Sequence, residues 1–147
     1  IFEGDTINTP SMLCVEDYLD ALQWAGKIGL AGLFDRSRAN LKIIEDWVER
    51  TDWIDFLAES REIRSNTSVC LIVTSEKVKA MPKEERAKFL KSIAGVLDKN
   101  NTAHDINSYK DAPPGFRFWC GPTIEPADIE AALTELEKVY RRRALEL

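Results

Sequence analysis

The chain has 147 residues, of which 44% are hydrophobic and 31% are charged, and its formal net charge at pH 7 is −5. This composition is typical of one globular domain with its own hydrophobic core. The acidic balance argues against non-specific binding to nucleic acid or to an anionic membrane surface, and no apolar run approaches the length of a transmembrane helix.

The metal-binding and redox chemistry of the chain is limited by its few ligand residues. It contains one histidine and three cysteines that are far apart in sequence. These residues do not form a metal-binding motif, so we predict no metal site. We interpret the cysteines as buried thiols in a reducing cytoplasm, and we therefore expect a cytoplasmic protein.

Two helices are predicted in the first fifty residues. Polar residues follow a single stripe along residues 11–28, and the rest of this helix surface is apolar, which indicates burial among other elements or at a subunit contact. Gly29 and Gly32 are expected to end this helix. A second helix is predicted over residues 33–50, with apolar residues on one face.

Four strands are predicted in the remainder of the chain. "DWIDFL" (52–57) reads as a short strand, and the β-branched, apolar "RSNTSVCLIVT" (64–74) as a central one. "TAHDIN" (102–107) and "GFRFWCG" (115–121) are predicted as further strands, separated by the turn residues of "KDAPPG".

Helices are predicted between and after these strands. Ser75 is placed to cap a short helix, Pro82 fits the first turn of another, and a last helix begins near Pro126. The order of elements predicts an α+β fold with helices packed on a mostly antiparallel sheet.

The stretch "INTPS" near the start has two interpretations. Thr9 can cap the following helix, with Pro10 as its first residue. The free N–H groups and the dipole of such a helix also favour an anion such as phosphate, for which Asn8 and Thr9 would add side-chain donors. A cap without further role is the more frequent case for such a pattern.

The stretch "PPGFRFWCG" is the second candidate for chemistry. On a strand, Phe116 and Phe118 point to one side, while Arg117 and Trp119 point to the other. An arginine between aromatic residues on a short apolar strand suits a carboxylate ligand, because its planar guanidinium offers two parallel donors. The alternative is a structural ion pair with a core Asp or Glu.

A complete catalytic set is not visible in the sequence. Arg61 and Arg64 precede a strand and are interpreted as its solvated entry. His104 is interpreted as a structural histidine, because no nucleophile accompanies it. If the chain belongs to an enzyme, its reactive group lies elsewhere.

Three blocks of sequence together resemble the C-terminal part of phosphoserine aminotransferase. They are "TINTPSMLCVEDYLDALQWA", "RSNTSVCL" and "PPGFRFWCGPTIEPADIEA", and the resemblance covers nearly the whole chain. It implies the small C-terminal domain of a fold type I, pyridoxal-phosphate-dependent aminotransferase. Residues 1–147 would form this single domain, with residues 1–28 as a helical segment joining it to a missing large domain.

The resemblance also implies an activity and its partners. The family comprises cytoplasmic homodimers that exchange an amino group between glutamate and 3-phosphohydroxypyruvate, giving phosphoserine and 2-oxoglutarate, in serine biosynthesis. By resemblance, Asn8 and Thr9 reach the cofactor phosphate of the other subunit, and Arg117 binds the substrate α-carboxylate.

Two departures from the family pattern affect the expected site. Some relatives carry a His-Arg pair for the substrate phosphate where this chain has Lys110 and Asp111. Lys110 could meet a phosphate, whereas Asp111 would repel it. The Schiff-base lysine belongs to the family's large domain, so no catalytic residue is assigned here, and this chain alone is expected to be inactive.

One alternative function comes from a different class. The chain could be a stand-alone α+β module that binds a small ligand or regulates another protein without catalysis. A third interpretation, a purely structural dimerisation domain, depends only on the very apolar first helix.

Overall fold

The computed structural model describes residues 8–147 of the chain. These residues fall into two compact units, one ending at Asp35 and one comprising Arg36–Leu147. The N-terminal part of the predicted segment 1–28 therefore lies outside the described residues. In the part of the chain that is described, no helix has the length and apolar character that crossing a membrane would require.

The first element is helix α1, Met12–Glu49, which departs from helical geometry at Gly29. Gly29 has φ 77° and ψ 157°, a conformation that is almost restricted to glycine. The predicted break at Gly29 is thus confirmed, but the break at Gly32 is wrong. Gly32 continues the helix, because a single glycine lowers helix stability without preventing the hydrogen bonds of the helix.

The cap of α1 differs from the predicted one. The Ser11 hydroxyl lies 3.5 Å from the Cys14 backbone nitrogen, and the Ser11 carbonyl accepts from the Val15 nitrogen at 3.1 Å. Ser11 therefore occupies the cap position, and the prediction of Thr9 as the cap is wrong. Thr9 and Ser11 both carry a hydroxyl that can cap a helix, and the hydrogen-bonding pattern selects Ser11.

The apolar surface predicted for the first helix is exposed in the described residues. Side chains with more than a third of their area exposed include Met12, Leu13, Val15, Tyr18, Leu19, Leu22, Trp24, Leu30 and Phe34. A contiguous apolar surface of this kind marks a contact with another chain or another domain. Burial of this helix by such a partner stays a prediction.

A three-stranded antiparallel sheet forms the centre of the second unit. Its strands are β1 (Ile54–Phe56), β2 (Ser68–Val73) and β3 (Gly115–Trp119), in the order β1-β2-β3. The prediction of a central strand in "RSNTSVCLIVT" is confirmed, as are the strands in "DWIDFL" and "GFRFWCG". The α+β class with an antiparallel sheet is confirmed as well.

The strand predicted for "TAHDIN" is wrong. This segment makes only an isolated bridge from Asn107 to Phe116. Asp105, inside the segment, and Asn101, directly before it, both have φ 53°, which is incompatible with an extended strand. Asparagine and aspartate adopt this left-handed conformation more readily than other residues.

Helices α2 (Glu76–Lys79), α3 (Lys83–Lys99) and α4 (Pro126–Ala144) complete the unit. Pro82 lies at the cap position of α3, one residue before the predicted first turn. Ser75 is at the cap position of α2, but its hydroxyl bonds the Tyr140 hydroxyl at 2.6 Å and does not cap the helix. Helix α3 contacts both α4 and β3.

The core lies between one face of the sheet and the helices. It contains the buried residues of β2 and β3 and the inner faces of α3 and α4, including Val69, Leu71, Val73, Leu90, Ile93, Leu97, Phe116, Phe118, Ile129, Leu133, Leu136 and Tyr140.

The three cysteines differ in burial. Cys120 is buried, Cys70 is half-buried and Cys14 is exposed, and all three are free thiols. Desolvation raises the pKa of Cys120 to about 11, so this thiol stays protonated and unreactive at neutral pH. The prediction of buried thiols is correct for Cys120 and wrong for Cys14, which lies on the exposed first helix.

Asn40 of α1 holds the loop that follows β3. Its side chain is fully buried, and its amide nitrogen lies 3.2, 3.2 and 3.0 Å from the carbonyl oxygens of Cys120, Gly121 and Ile124. Arg36 adds a second tie, because its Nε donates to the Pro122 carbonyl at 2.7 Å. The end of β3 is therefore fixed by side chains of α1.

Replacing the Asn40 amide by a carboxylate should destabilise the fold strongly. Asn40→Asp would place negative charge against three carbonyl oxygens in a buried position, whereas Asn40→Ala would only leave them unpaired, at a cost of about 1–3 kcal/mol. In urea denaturation, we expect the unfolding free energy to decrease from the wild type to Asn40→Ala, and to decrease further in Asn40→Asp. Asn101→Asp, at an exposed position, is the control and should change the unfolding free energy by less than about 0.5 kcal/mol. Equal stability of wild type and Asn40→Asp would contradict the role of Asn40 as a donor.

Candidate functional site: Arg117 and the adjoining cavity

The side chains of strand β3 alternate between the core and the opposite face of the sheet. Phe116 and Phe118 are 1% and 5% exposed. Arg117 pairs with Cys70 of β2 in the sheet register and lies on the other, more open face together with Trp119, which is 52% exposed. The predicted orientation of these four side chains is confirmed.

The Arg117 guanidinium is held by two residues of the preceding loop. Its Nη2 donates to the Asp105 carboxylate at 2.6 Å, and its Cζ lies 4.5 Å from the centre of the Tyr109 ring. The Arg117 side chain is 13% exposed, whereas that of Asp105 is 85% exposed. The ion pair therefore involves a surface acid and not the core acid considered from the sequence.

The hydrogen-bonding capacity of Arg117 is only partly used. Its Nε is buried and has no partner among the described residues. A guanidinium has five donors in a planar fork, and Asp105 engages one edge through a single nitrogen. An exposed ion pair of this type stabilises a protein by at most about 1 kcal/mol, so an incoming carboxylate can replace Asp105 at small cost.

Lys110 lines a cavity beside Arg117. The cavity has a volume of about 430 Å³ and is formed by the start of β3, the preceding loop and α3. Tyr109 lines this cavity and also stacks on Arg117. The structure therefore brings two of the predicted residues, Arg117 and Lys110, to neighbouring places.

Asn8 and Thr9 belong to the first unit. Both are exposed, and they precede the start of α1. Because Ser11 serves as the cap, the Thr9 hydroxyl is not needed to close the helix end.

The other charged residues singled out in the sequence have structural partners. Arg61 and Arg64 approach the Glu45 carboxylate at 2.7 and 3.5 Å. Arg64 also stacks on the Phe56 ring, with its Cζ 3.9 Å from the ring centre. His104 Nδ1 lies 2.5 Å from the Asp98 carboxylate on the surface, and the structural interpretation of this histidine is thus supported. No cluster of potential metal ligands occurs among residues 8–147.

Sequence reasoning missed four residues at Arg117 and at the adjoining cavity. Asp105 comes from a segment predicted to be a strand, and Tyr109 follows that segment. Lys83 and Lys91 line the cavity from α3, 27 and 19 residues before Lys110. Ala87, Leu90 and Lys91 follow Lys83 by four, seven and eight residues, so all of them lie on one helix face. This spacing could have suggested a shared surface, but it does not identify the segment that packs against that surface.

Similar folds occur in solved structures of two enzymes. The structure of phosphoserine aminotransferase from Bacillus circulans subsp. alkalophilus matches with a TM-score of 0.74 and 16% identity, over 92% of this chain and 34% of that chain. Oryza sativa TDC with PLP and tryptamine matches with a TM-score of 0.61 and 16% identity, over 80% of this chain and 25% of that chain. The fold of this chain thus matches about a third of a phosphoserine aminotransferase chain, and the α+β fold predicted from the sequence is confirmed.

Sequence comparison identifies a narrower relationship than the likeness of folds does. Phosphoserine aminotransferase of Methanosarcina mazei is 46% identical over 141 residues, which are 95% of this chain and 35% of that protein. The enzyme of Methanosarcina barkeri is 45% identical over the same length. No family model matches the chain. The chain is therefore related to phosphoserine aminotransferase and spans about a third of the length of the curated relatives it matches, which confirms the predicted resemblance.

Removing the charge of Asp105 should strengthen carboxylate binding at Arg117. The ion pair with Asp105 competes with an external carboxylate, so we expect Asp105→Asn to bind acetate about 2- to 5-fold more tightly. The measurement is an NMR titration that follows the Arg117 Nε–H resonance. Asp111→Asn, an exposed acid of the same loop, controls for the change in net charge. Weaker binding in Asp105→Asn than in Asp111→Asn would show that Asp105 positions the guanidinium and does not compete for it.

Proposed function

We propose that this chain is the C-terminal domain of a phosphoserine aminotransferase. The complete protein would transfer the amino group between glutamate and 3-phosphohydroxypyruvate, with phosphoserine and 2-oxoglutarate as products, in serine biosynthesis. The observation that carries this proposal is the 46% identity over 95% of the chain to an enzyme of that name. The position of Arg117 on the open face of β3 supports it independently.

Arg117 is proposed to bind the α-carboxylate that all four substrates and products share. Its guanidinium is oriented before a ligand arrives, because Tyr109 covers one face and β3 fixes the backbone. A carboxylate that replaces Asp105 would gain a second donor from the same planar group, and such paired, charge-assisted bonds are stronger than single ones. Orientation of the substrate is the contribution of Arg117 to the reaction.

The cofactor of the complete enzyme is proposed to be pyridoxal 5′-phosphate. When bound, it supplies the electron sink that amino-group transfer requires. In this chain, Asn8 and Thr9 fit its phosphate chemically, because an amide and a hydroxyl are exposed directly before a helix N-terminus. They would bind and orient the phosphate of the partner subunit's cofactor. The lysine that carries the cofactor is proposed to lie in the rest of the polypeptide.

A homodimer is the proposed assembly, and the cytoplasm its proposed location. The exposed apolar residues of α1, among them Leu13 and Tyr18 at 72% and 65%, support a partner surface for this helix. A site completed across the dimer would also explain why this chain carries binding residues without a complete catalytic set.

Replacing Arg117 by lysine should impair both half-reactions. A lysine keeps the charge but cannot form two parallel bonds to a carboxylate. In the full-length protein, we expect kcat/KM for phosphoserine and for glutamate to fall by about 2–5 kcal/mol in transition-state stabilisation. The assay follows amino transfer in both directions, from phosphoserine to 2-oxoglutarate and from glutamate to 3-phosphohydroxypyruvate. The melting temperature should change little, because the ion-pair partner of Arg117 is exposed.

The matched control is Arg64→Lys. Arg64 is also a half-buried arginine beside an aromatic ring, but it pairs with Glu45 in the fold. We expect this variant to lose stability and to keep kcat/KM for both substrates. If Arg117→Lys instead loses stability with unchanged kcat/KM, Arg117 is a structural residue and the proposed carboxylate site is wrong.

A further inference from the structure

Strand β3 ends in an exposed tryptophan that lies beside Arg117. Trp119 faces the same side of the sheet as Arg117. Because alternate residues of a strand are about 6.6–6.8 Å apart, the indole and the guanidinium project side by side. Tyr109, which is also exposed, adds a second ring that stacks on the guanidinium. Two exposed aromatic rings therefore accompany the Arg117 side chain.

The Trp119 ring has a defined position although it is exposed. It lies against Gly121, since a Cβ at Gly121 would be 2.9 Å from the Cζ2 atom of the ring. The indole Nε1 lies 3.5 Å from the Thr123 hydroxyl. Glycine permits this close approach, and a larger residue at position 121 would displace the ring.

The loop that supports the ring is itself fixed. Asn40 lies 3.0–3.2 Å from three carbonyl oxygens of this loop, and Arg36 donates to a fourth at 2.7 Å. On the strand side, Trp119 pairs with Ser68 of β2 in the sheet register. The ring is thus ordered before a ligand arrives, which lowers the entropic cost of binding one.

The residue types around this place are those of a binding site. Tryptophan, tyrosine and arginine are enriched where proteins bind their partners most strongly. Arg117 also keeps a buried Nε without a partner among the described residues. A carboxylate that binds the guanidinium would lie beside the indole, and an ion pair is stronger where water is excluded.

We propose that Trp119 contacts the bound substrate next to its α-carboxylate and shields the ion pair with Arg117 from water. This rests on the proposed function, in which Arg117 binds that carboxylate, and it adds a substrate-binding residue to the reaction. Because the α-carboxylate is common to all substrates and products, removing the ring should affect each of them by a similar factor.

The test uses three variants of the full-length, cofactor-loaded protein. Trp119→Ala removes the ring, Gly121→Ala keeps the ring but displaces it, and the third variant combines both changes. Leu145→Ala, at an exposed apolar residue beyond α4, is the control. The measurements are kcat/KM for phosphoserine and for glutamate, and the Kd of glutarate by calorimetry at low and at high salt. Glutarate carries carboxylates but has no amino or oxo group to exchange.

We expect Trp119→Ala to raise the Kd of glutarate about tenfold and to lower both kcat/KM values by a similar factor. Gly121→Ala should raise the Kd about 2- to 3-fold, and the double variant should match Trp119→Ala, because Gly121 acts through the ring. Salt should weaken binding more in Trp119→Ala than in the wild type, since an exposed ion pair is screened more. The control should leave all values unchanged.

Two results of these assays would overturn the proposal. One is equal glutarate binding by Trp119→Ala and the wild type in an enzyme that transfers amino groups, in which case the proposed function stands. The other is a double variant in which Gly121→Ala adds its full effect to that of Trp119→Ala, because a changed loop and not the ring would then weaken binding.

Acrylamide quenching of tryptophan fluorescence tests whether the substrate is what covers the ring. The difference between the wild type and Trp119→Phe isolates the contribution of Trp119. We expect this contribution to be quenched in the free full-length protein and to be protected by glutarate. Protection already in the absence of glutarate would assign the ring to a contact with the rest of the polypeptide and would overturn the proposal.

A different result would separate this proposal from the proposed function in the other direction. If the wild-type protein does not transfer an amino group from phosphoserine, the proposed function fails. Glutarate binding that still depends on Trp119 would then support a shielded carboxylate site for another ligand. If the wild type binds no glutarate, the carboxylate site is wrong and the role of Trp119 is wrong with it.

Discussion

The register in which β3 pairs with β2 determines what surrounds Arg117. Leu71 lies opposite Phe116 and Cys70 opposite Arg117, so the two phenylalanines enter the core and the arginine faces the other side. A slip by one residue would bury the guanidinium and expose both rings. Gly115 contributes to this register, because a Cβ there would lie 2.1 Å from the Leu71 carbonyl oxygen. At the other end, the Asn40 amide holds the loop that begins at Cys120.

Strand β3 also fixes the position of the loop that precedes it. The Arg117 backbone nitrogen donates to the Ile106 carbonyl at 2.8 Å, which brings Asp105 and Tyr109 to the guanidinium. Helix α3 packs against β3 and forms one side of the cavity that Lys110 lines. One strand register thus places the Arg117 guanidinium next to this cavity, and Tyr109 borders both.

The sequence predicted the parts of this site that depend on local pattern. Alternation of Phe116, Arg117 and Phe118 was sufficient to orient Arg117, because side-chain direction in a strand follows from its period of two. The sequence did not predict Lys83 and Lys91, because helix packing brings them to the loop from far along the chain. The strand expected at "TAHDIN" was wrong because Asp105, within the segment, has a left-handed backbone conformation that interrupts an extended strand. The helix cap was misplaced by two residues, at Thr9 instead of Ser11.

The most direct test of the carboxylate site is a crystal structure of the full-length protein with phosphoserine bound. The account predicts that the α-carboxylate lies within hydrogen-bonding distance of the Arg117 guanidinium and that Asp105 has left this position. A phosphoserine carboxylate bound by other residues, with Arg117 still paired to Asp105, would contradict it.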